Sequence, residues 1–208
     1  MCIRDRATAG DATSLGQNAI AAGIQSTALG ASSDATGDET TAVGQGAQAT
    51  ANGATSLGQA ANASGFSAIA IGVNSVASGN SSTAIGQGSD ATASNTTALG
   101  DSAQALSSSS LALGANALAV SGNGAFPATA IGSFAQATAN VSLAIGSGSD
   151  PTTAAIASGS RSIAIGSGGS GANGAQASAG NSIAIGVDST ATNSSSVTVG
   201  NNLSLIHI

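Results

Sequence analysis

Tryptophan and tyrosine are missing from this 208-residue chain, and three phenylalanines and one methionine are the only large apolar side chains beyond the aliphatics. A core built around aromatics is therefore excluded. Hydrophobic residues still make up 41% of the chain, because alanine is abundant, so any interior must be thin and lined by methyl groups. Charge is equally scarce at 6%, too little for a charge-driven disordered chain, which leaves Ser, Thr, Asn and Gln to coat the outside. The net charge of −6 comes from nine scattered acids against three arginines. With no basic patch and no aromatic platform, nucleic acid is not an expected partner. A lone cysteine, Cys2, excludes disulfide frameworks and cysteine metal sites. No stretch approaches the ~20 apolar residues of a membrane helix, and residues 1–6 lack the apolar core of a signal peptide, so no membrane insertion is expected of this segment.

What the chain has instead is a repeat. An aliphatic residue followed by glycine recurs at Leu29-Gly30, Val43-Gly44, Leu57-Gly58, Ile71-Gly72, Ile85-Gly86, Leu99-Gly100 and Leu113-Gly114, every 14 residues from Gly16 to Gly114. It continues at Gly132, Gly146, Gly166, Gly186 and Gly200, with spacings of 18, 14, 20, 20 and 14. A fixed period with a few insertions specifies a solenoid of stacked rungs. Within a rung, Thr83-Ala84-Ile85 and Ile183-Ala184-Ile185 alternate outward and small, which predicts a first strand. Small pairs three and five residues after the glycine, such as Ala47 and Ala49 or Ala103 and Ala105, predict a second. Gly23, Gly37, Gly65, Gly79 and Gly159 stand midway, where the chain must reverse and positive φ is expected. Glycine about every seven residues argues against helix. Equivalent residues then stack rung on rung, so the strands run parallel.

Counting register from both sides places four extra residues within 120–127 and six in each of 147–154 and 167–174. The latter two enter between the first and second strands of adjacent rungs, and stacked loops on one edge are a usual place for binding. Both ends break the pattern: residues 1–6 and 203–208 read as remnants foreign to the repeat, leaving 7–202 as the repeat domain.

Facing decides what the surface does. If Ala84 and its equivalents point inward, the aliphatic ladder must point out, including Leu57, Ile71, Ile85, Leu99, Leu113, Ile131, Ile145, Ile165, Ile185 and Val199. A stripe of roughly 600 Å² is at or above the largest apolar patch of a typical monomer. Burial against further copies of the chain is the expected outcome.

The words Ile69-Ala70-Ile71-Gly72, Thr83-Ala84-Ile85-Gly86 and above all Asn181-Ser182-Ile183-Ala184-Ile185-Gly186-Val187-Asp188-Ser189 resemble the Asn-Ser-Val-Ala-Ile-Gly-x-x-Ser repeat of YadA-like heads of trimeric autotransporter adhesins. The resemblance covers residues 13 to 200. It implies an all-β, left-handed parallel β-roll of about thirteen 14-residue rungs, a homotrimer, and display on the outer face of the Gram-negative outer membrane. It also implies attachment to host surfaces or extracellular matrix, with a collagen-like partner. Carried onto this sequence, the matrix-binding candidates are Asn181, Ser182, Ile183, Ala184, Ile185, Gly186 and Ser189. No basic neck, heptad stalk or anchor strands follow Val199-Gly200, so the chain reads as a head fragment.

Other chemistries fit less well. Gly166-Ser167-Gly168-Gly169-Ser170-Gly171 matches a dinucleotide pattern, but no helix can follow it, and no cofactor is expected. His207, the sole histidine, lies in the foreign tail, and no catalytic residue is expected. Asp34, Asp38, Glu39, Asp90 and Asp150 do not cluster in sequence, so they read as solvated turn carboxylates, not calcium ligands. A left-handed acyltransferase helix would use hexapeptide rungs and a histidine. The nearest rival is an ice-binding solenoid, since Thr27, Thr41, Thr55, Thr83 and Thr97 form a row; its neighbouring row is aliphatic, which suits protein contact better than ordered water.

Overall fold

The computed structural model describes residues 5–169 and 171–205; Met1, Cys2, Arg4 and His207 lie outside them. The chain divides into two compact units, Met1–Ala98 and Leu99–Ile208. Each is a parallel β-solenoid, and no helix occurs among the described residues. In the first unit, three-residue strands such as Thr41–Val43, Thr55–Leu57, Ile69–Ile71 and Thr83–Ile85 form one sheet. Two-residue strands such as Gln48–Ala49, Asn62–Ala63 and Val76–Ala77 form the other. The second unit repeats the plan, with Leu111–Leu113, Thr129–Ile131, Leu143–Ile145, Ile163–Ile165, Ile183–Ile185 and Val197–Val199 facing strands from Gln104–Ala105 to Ser204–Leu205. Register is the repeat itself: Ala70 pairs with Ala84, and Ala130 with Ala144.

The interior is the expected methyl column. Ala28, Ala42, Ala70 and Ala84 from the longer strands and Ala21, Ala35, Ala49 and Ala63 from the shorter ones are all at 0% exposure. Alanine satisfies two demands here: its methyl fills the gap between two closely spaced sheets, and nothing larger fits at interior packing density. Some hydroxyls that enter this space are bonded to the turn that delivers them, while those of Ser26, Ser56, Ser82, Ser121 and Ser162 have no partner. Thr40 Oγ1 donates to the Gly37 carbonyl at 2.6 Å and Ser189 Oγ to the Gly186 carbonyl at 3.0 Å.

Each rung turns twice, and the turns show what the glycines are for. The marker glycines take φ of +130° at Gly72 and +131° at Gly114, a region that side chains exclude. The midway glycines differ from expectation, because Gly23, Gly37, Gly65, Gly79 and Gly159 are absent from the positive-φ set. Their role is close stacking: a Cβ on Gly65 would lie 2.0 Å from the Gly79 carbonyl oxygen of the next rung. The left-handed residue comes two positions later, at Gln25, Glu39, Ser67, Ser81 and Arg161.

The inserted residues fall where the register count put them. Residues 147–154 and 167–174 separate Ile145 from Ile156 and Ile165 from Gln176. They lie side by side, with the Gly168 N–H donating to the Ser147 carbonyl at 2.9 Å and Gly174 N–H to that of Thr153 at 2.7 Å. The ladder also runs into both segments read as foreign: Arg6 pairs with Ile20 and Ser204 with Thr190.

Candidate interaction surfaces

Three surfaces compete for function: the outer face of the longer strands, the outer face of the shorter strands, and the inserted loops. On the first, alternation turns the aliphatic ladder away from the alanine core. Leu57 is 45% exposed, Leu99 39%, Leu113 37% and Val199 61%, while Ile71, Ile85, Ile131, Ile145, Ile165 and Ile185 are half-buried. In the first unit the row beside the ladder is threonine, apart from Ile69. In the second unit it becomes Leu111, Leu143, Ile163, Ile183 and Val197, with Thr129 the exception. The apolar stripe there is two residues wide, a feature that the row of threonines in the first half of the sequence hides.

The word Asn181 to Ser189 is split by the same alternation. Ser182, Ala184 and Ser189 are at 0% exposure and Ser182 Oγ donates to the Ala179 carbonyl at 2.7 Å, so these three cannot touch a matrix partner. Gly186, at φ +120°, would set a Cβ 2.2 Å from the Gly200 carbonyl oxygen, so it serves rung stacking. Asn181, Ile183 and Ile185 remain outward, and the two isoleucines share the face of the ladder. A contact between copies of the chain and a contact with matrix would therefore compete for Ile185.

The carboxylates also differ from expectation. Asp34 and Asp90 stand on strands, paired with Ile20 and Val76, not at turns. One oxygen of each is shut off from water without a hydrogen-bond partner, and burial raises the Asp90 pKa. Asp38 does lie at a turn, where its carboxylate accepts the Ile24 N–H of the preceding rung at 2.9 Å. Asp150 organises the first inserted loop: its Oδ1 accepts the Thr152 hydroxyl at 2.6 Å and the Thr152 N–H at 2.8 Å. Those bonds lower its pKa. Among the described residues no group of three His, Cys, Asp or Glu could hold a metal.

That loop folds back over the shorter-strand face. Gln136 Nε2 donates to the Pro151 carbonyl at 2.7 Å, and Pro151 closes one side of an open groove of about 330 Å³. Phe134 lines the groove too, from a turn position with φ of +60°. Left-handed backbone at a bulky residue costs on the order of 1–3 kcal/mol. In other rungs the position holds Asn18, Ser32, Gly46, Ala60, Asn74, Gly88, Ser102, Asn116, Asp188 or Asn202. The sequence carries this signal as one aromatic in a row of otherwise small or polar residues.

The YadA head domain repeat model matches residues 7–33, 35–61, 63–89, 91–117, 127–149, 153–168 and 177–202. The chain belongs to the YadA head domain family. A YadA head is part of an adhesin, which is not an enzyme class. A similar solved structure is the collagen-binding domain of the Yersinia adhesin YadA, at 27% identity and a TM-score of 0.43, covering 54% of this chain and 70% of that one. Comparison with curated proteins gives no match.

Proposed function

We propose that this YadA head is the ligand-binding end of a bacterial cell-surface adhesin, attaching its bearer to a host surface or an extracellular-matrix protein, collagen-like proteins included. The observation that supports it most directly is the head repeat itself, carried in matched segments from residue 7 to residue 202. The working form is a homotrimer. Its support is the outward ladder, continuous within each unit, because an aliphatic position in every rung has no use on a free surface and each such side chain gains ~1.5–3 kcal/mol on full burial. Three copies would also set identical weak sites in parallel, so attachment would draw on avidity. The purified chain should show three times the monomer mass by light scattering at all workable concentrations, and should adhere to immobilised collagen or another matrix protein. A monodisperse monomer that adheres fully refutes the assembly; a trimer that adheres to no matrix protein or host cell refutes the attachment.

A further inference from the structure

We infer that the groove between Phe134 and Pro151 is a saccharide-binding site that takes a neutral pyranose. It lies on the outer face of the shorter strands, the sheet opposite the aliphatic ladder, so association through the ladder leaves it open. The inference deepens the attachment reading by naming a ligand class.

The floor is a parallel ladder of three adjacent rungs, Gln104 paired with Leu118 and Leu118 with Gln136. One wall is the stack of turn residues from the same rungs, in which Asn116 and then Phe134 follow one another. The turns are tied to each other, since the Asn116 N–H donates to the Asp101 carbonyl at 2.8 Å and the Phe134 N–H to that of Ala115 at 2.9 Å. The other wall is Pro151, brought over the floor by the six-residue insertion of 147–154 and held there by Gln136.

Three features thus meet at one point: an insertion, a groove, and the one aromatic side chain in the row of turn residues that line it. The left-handed backbone itself belongs to the repeat, since Ala60, Val141 and Arg161 share it; what sets Phe134 apart is that an aromatic ring occupies the turn beside the inserted loop. The chemistry selects the ligand. No ionisable side chain lines the groove, so a charged ligand would lose hydration without gaining a counter-charge. A half-buried aromatic face carries negative π density, which suits the C–H face of a pyranose ring. The amides of Gln104 and Asn116 offer donor and acceptor together, as vicinal hydroxyls require. At about 330 Å³ the groove is at the small end of ligand sites, the size of one or two sugar rings. Weak binding here would be multiplied by repetition across a trimer.

The test is solution NMR of the purified chain with methyl-labelled leucine. The probes are methyl β-galactoside, methyl β-glucoside, N-acetylglucosamine, lactose and N,N′-diacetylchitobiose, with N-acetylneuraminic acid as the anionic comparison and a triple-helical Gly-Pro-hydroxyproline peptide as the protein one. At least one neutral saccharide should shift the Leu118 methyls, and Phe134→Asn should weaken that saccharide at least tenfold. Asn116 shows that asparagine suits the turn, so this variant should melt no lower than the parent. If no neutral saccharide moves Leu118, if the anionic sugar or the peptide alone does so, or if Phe134→Asn binds as the parent does, the inference falls. Matrix adherence unchanged in Phe134→Asn, with saccharide binding lost, would keep the site and separate it from attachment; adherence lost with no saccharide bound would sink the site and leave the adhesin reading intact.

Discussion

Replacing Ala144 by leucine tests the interior directly. Ala144 is at 0% exposure, with Ala130 in register on one side and Ala164 on the other. In parallel sheets those neighbours stand only ~4.8 Å away. Across the interior, the shorter strands of these rungs offer Ala137 and Ala157, also at 0%. Three added carbons therefore find no space in any direction, and the transfer gain of burying them cannot be collected while sheets and rungs are forced apart. Overpacking of this kind costs ~1–3 kcal/mol, and each kcal/mol moves the midpoint of a chain this size by about 2–4 °C. The melting midpoint should fall by roughly 2–12 °C in circular dichroism. Because rung stability is a nearest-neighbour property, hydrogen exchange should quicken first at the amides of the Thr129–Ile131 and Ile163–Ile165 strands that flank it. A variant that melts like the parent, with unchanged exchange there, would mean that the position faces outward and that the two sheets are assigned inside out.

The same strand position gives the opposite sign at Ser56, which stands between Ala42 and Ala70 with a buried hydroxyl lacking a partner. An unsatisfied buried hydroxyl costs ~1–3 kcal/mol, so Ser56→Ala should melt higher, and a lower midpoint would show that the hydroxyl is in fact bonded. Burial raises the Asp90 pKa above 3.8, so ionisation opposes folding: the contribution of Asp90 is favourable below the unfolded pKa and is lost as pH rises through the folded one. Asp90→Asn should therefore melt above the parent at pH 7 and level with it at pH 3; equal midpoints at pH 7 would refute the burial argument. Ile145→Asp with Ile165→Asp, in register on adjacent rungs, would bring six carboxylates into a trimer interface at a desolvation cost that packing cannot offset. That variant should lose trimer mass and adherence together, and a trimer of normal adherence would take the ladder out of the interface.

The period carried the fold. Marker glycines, the inward alanines and the three insertions were all readable, because a 14-residue rung repeats each physical demand often enough to separate it from chance. What escaped was whatever the repeat does not enforce. Turn chemistry predicts positive φ at the midway glycines; the demand at Gly65 is instead the carbonyl of Gly79 in the next rung, which no local rule contains. Asp34 and Asp90 were placed at turns although their two-residue strands follow directly from the Ala35 and Ala91 register. Family resemblance points to the word Asn181 to Ser189 as a block, whereas alternation sends Ser182 and Ala184 inward. Phe134 and Pro151 meet only because a loop folds back over two rungs, and sequence spacing does not encode that.

The two outer faces differ in a way that fits the two roles proposed for them. Along the longer strands the ladder position is leucine, isoleucine or valine at every rung from Leu15 to Val199. A uniform row of that kind is what a contact repeated rung by rung requires, since any polar interruption would leave an unpaired group in the buried seam. Along the shorter strands the outward position changes at each step, as in Ile20, Asp34, Gln48, Asn62, Val76 and Asp90. The interior does not hold that row constant, because it constrains only the alanine beside it. An aperiodic face on a periodic frame can vary one rung without disturbing its neighbours, and Phe134 stands at the turn that leads into that face. On the two readings proposed above, assembly draws on what all rungs share, and recognition on a position where they differ.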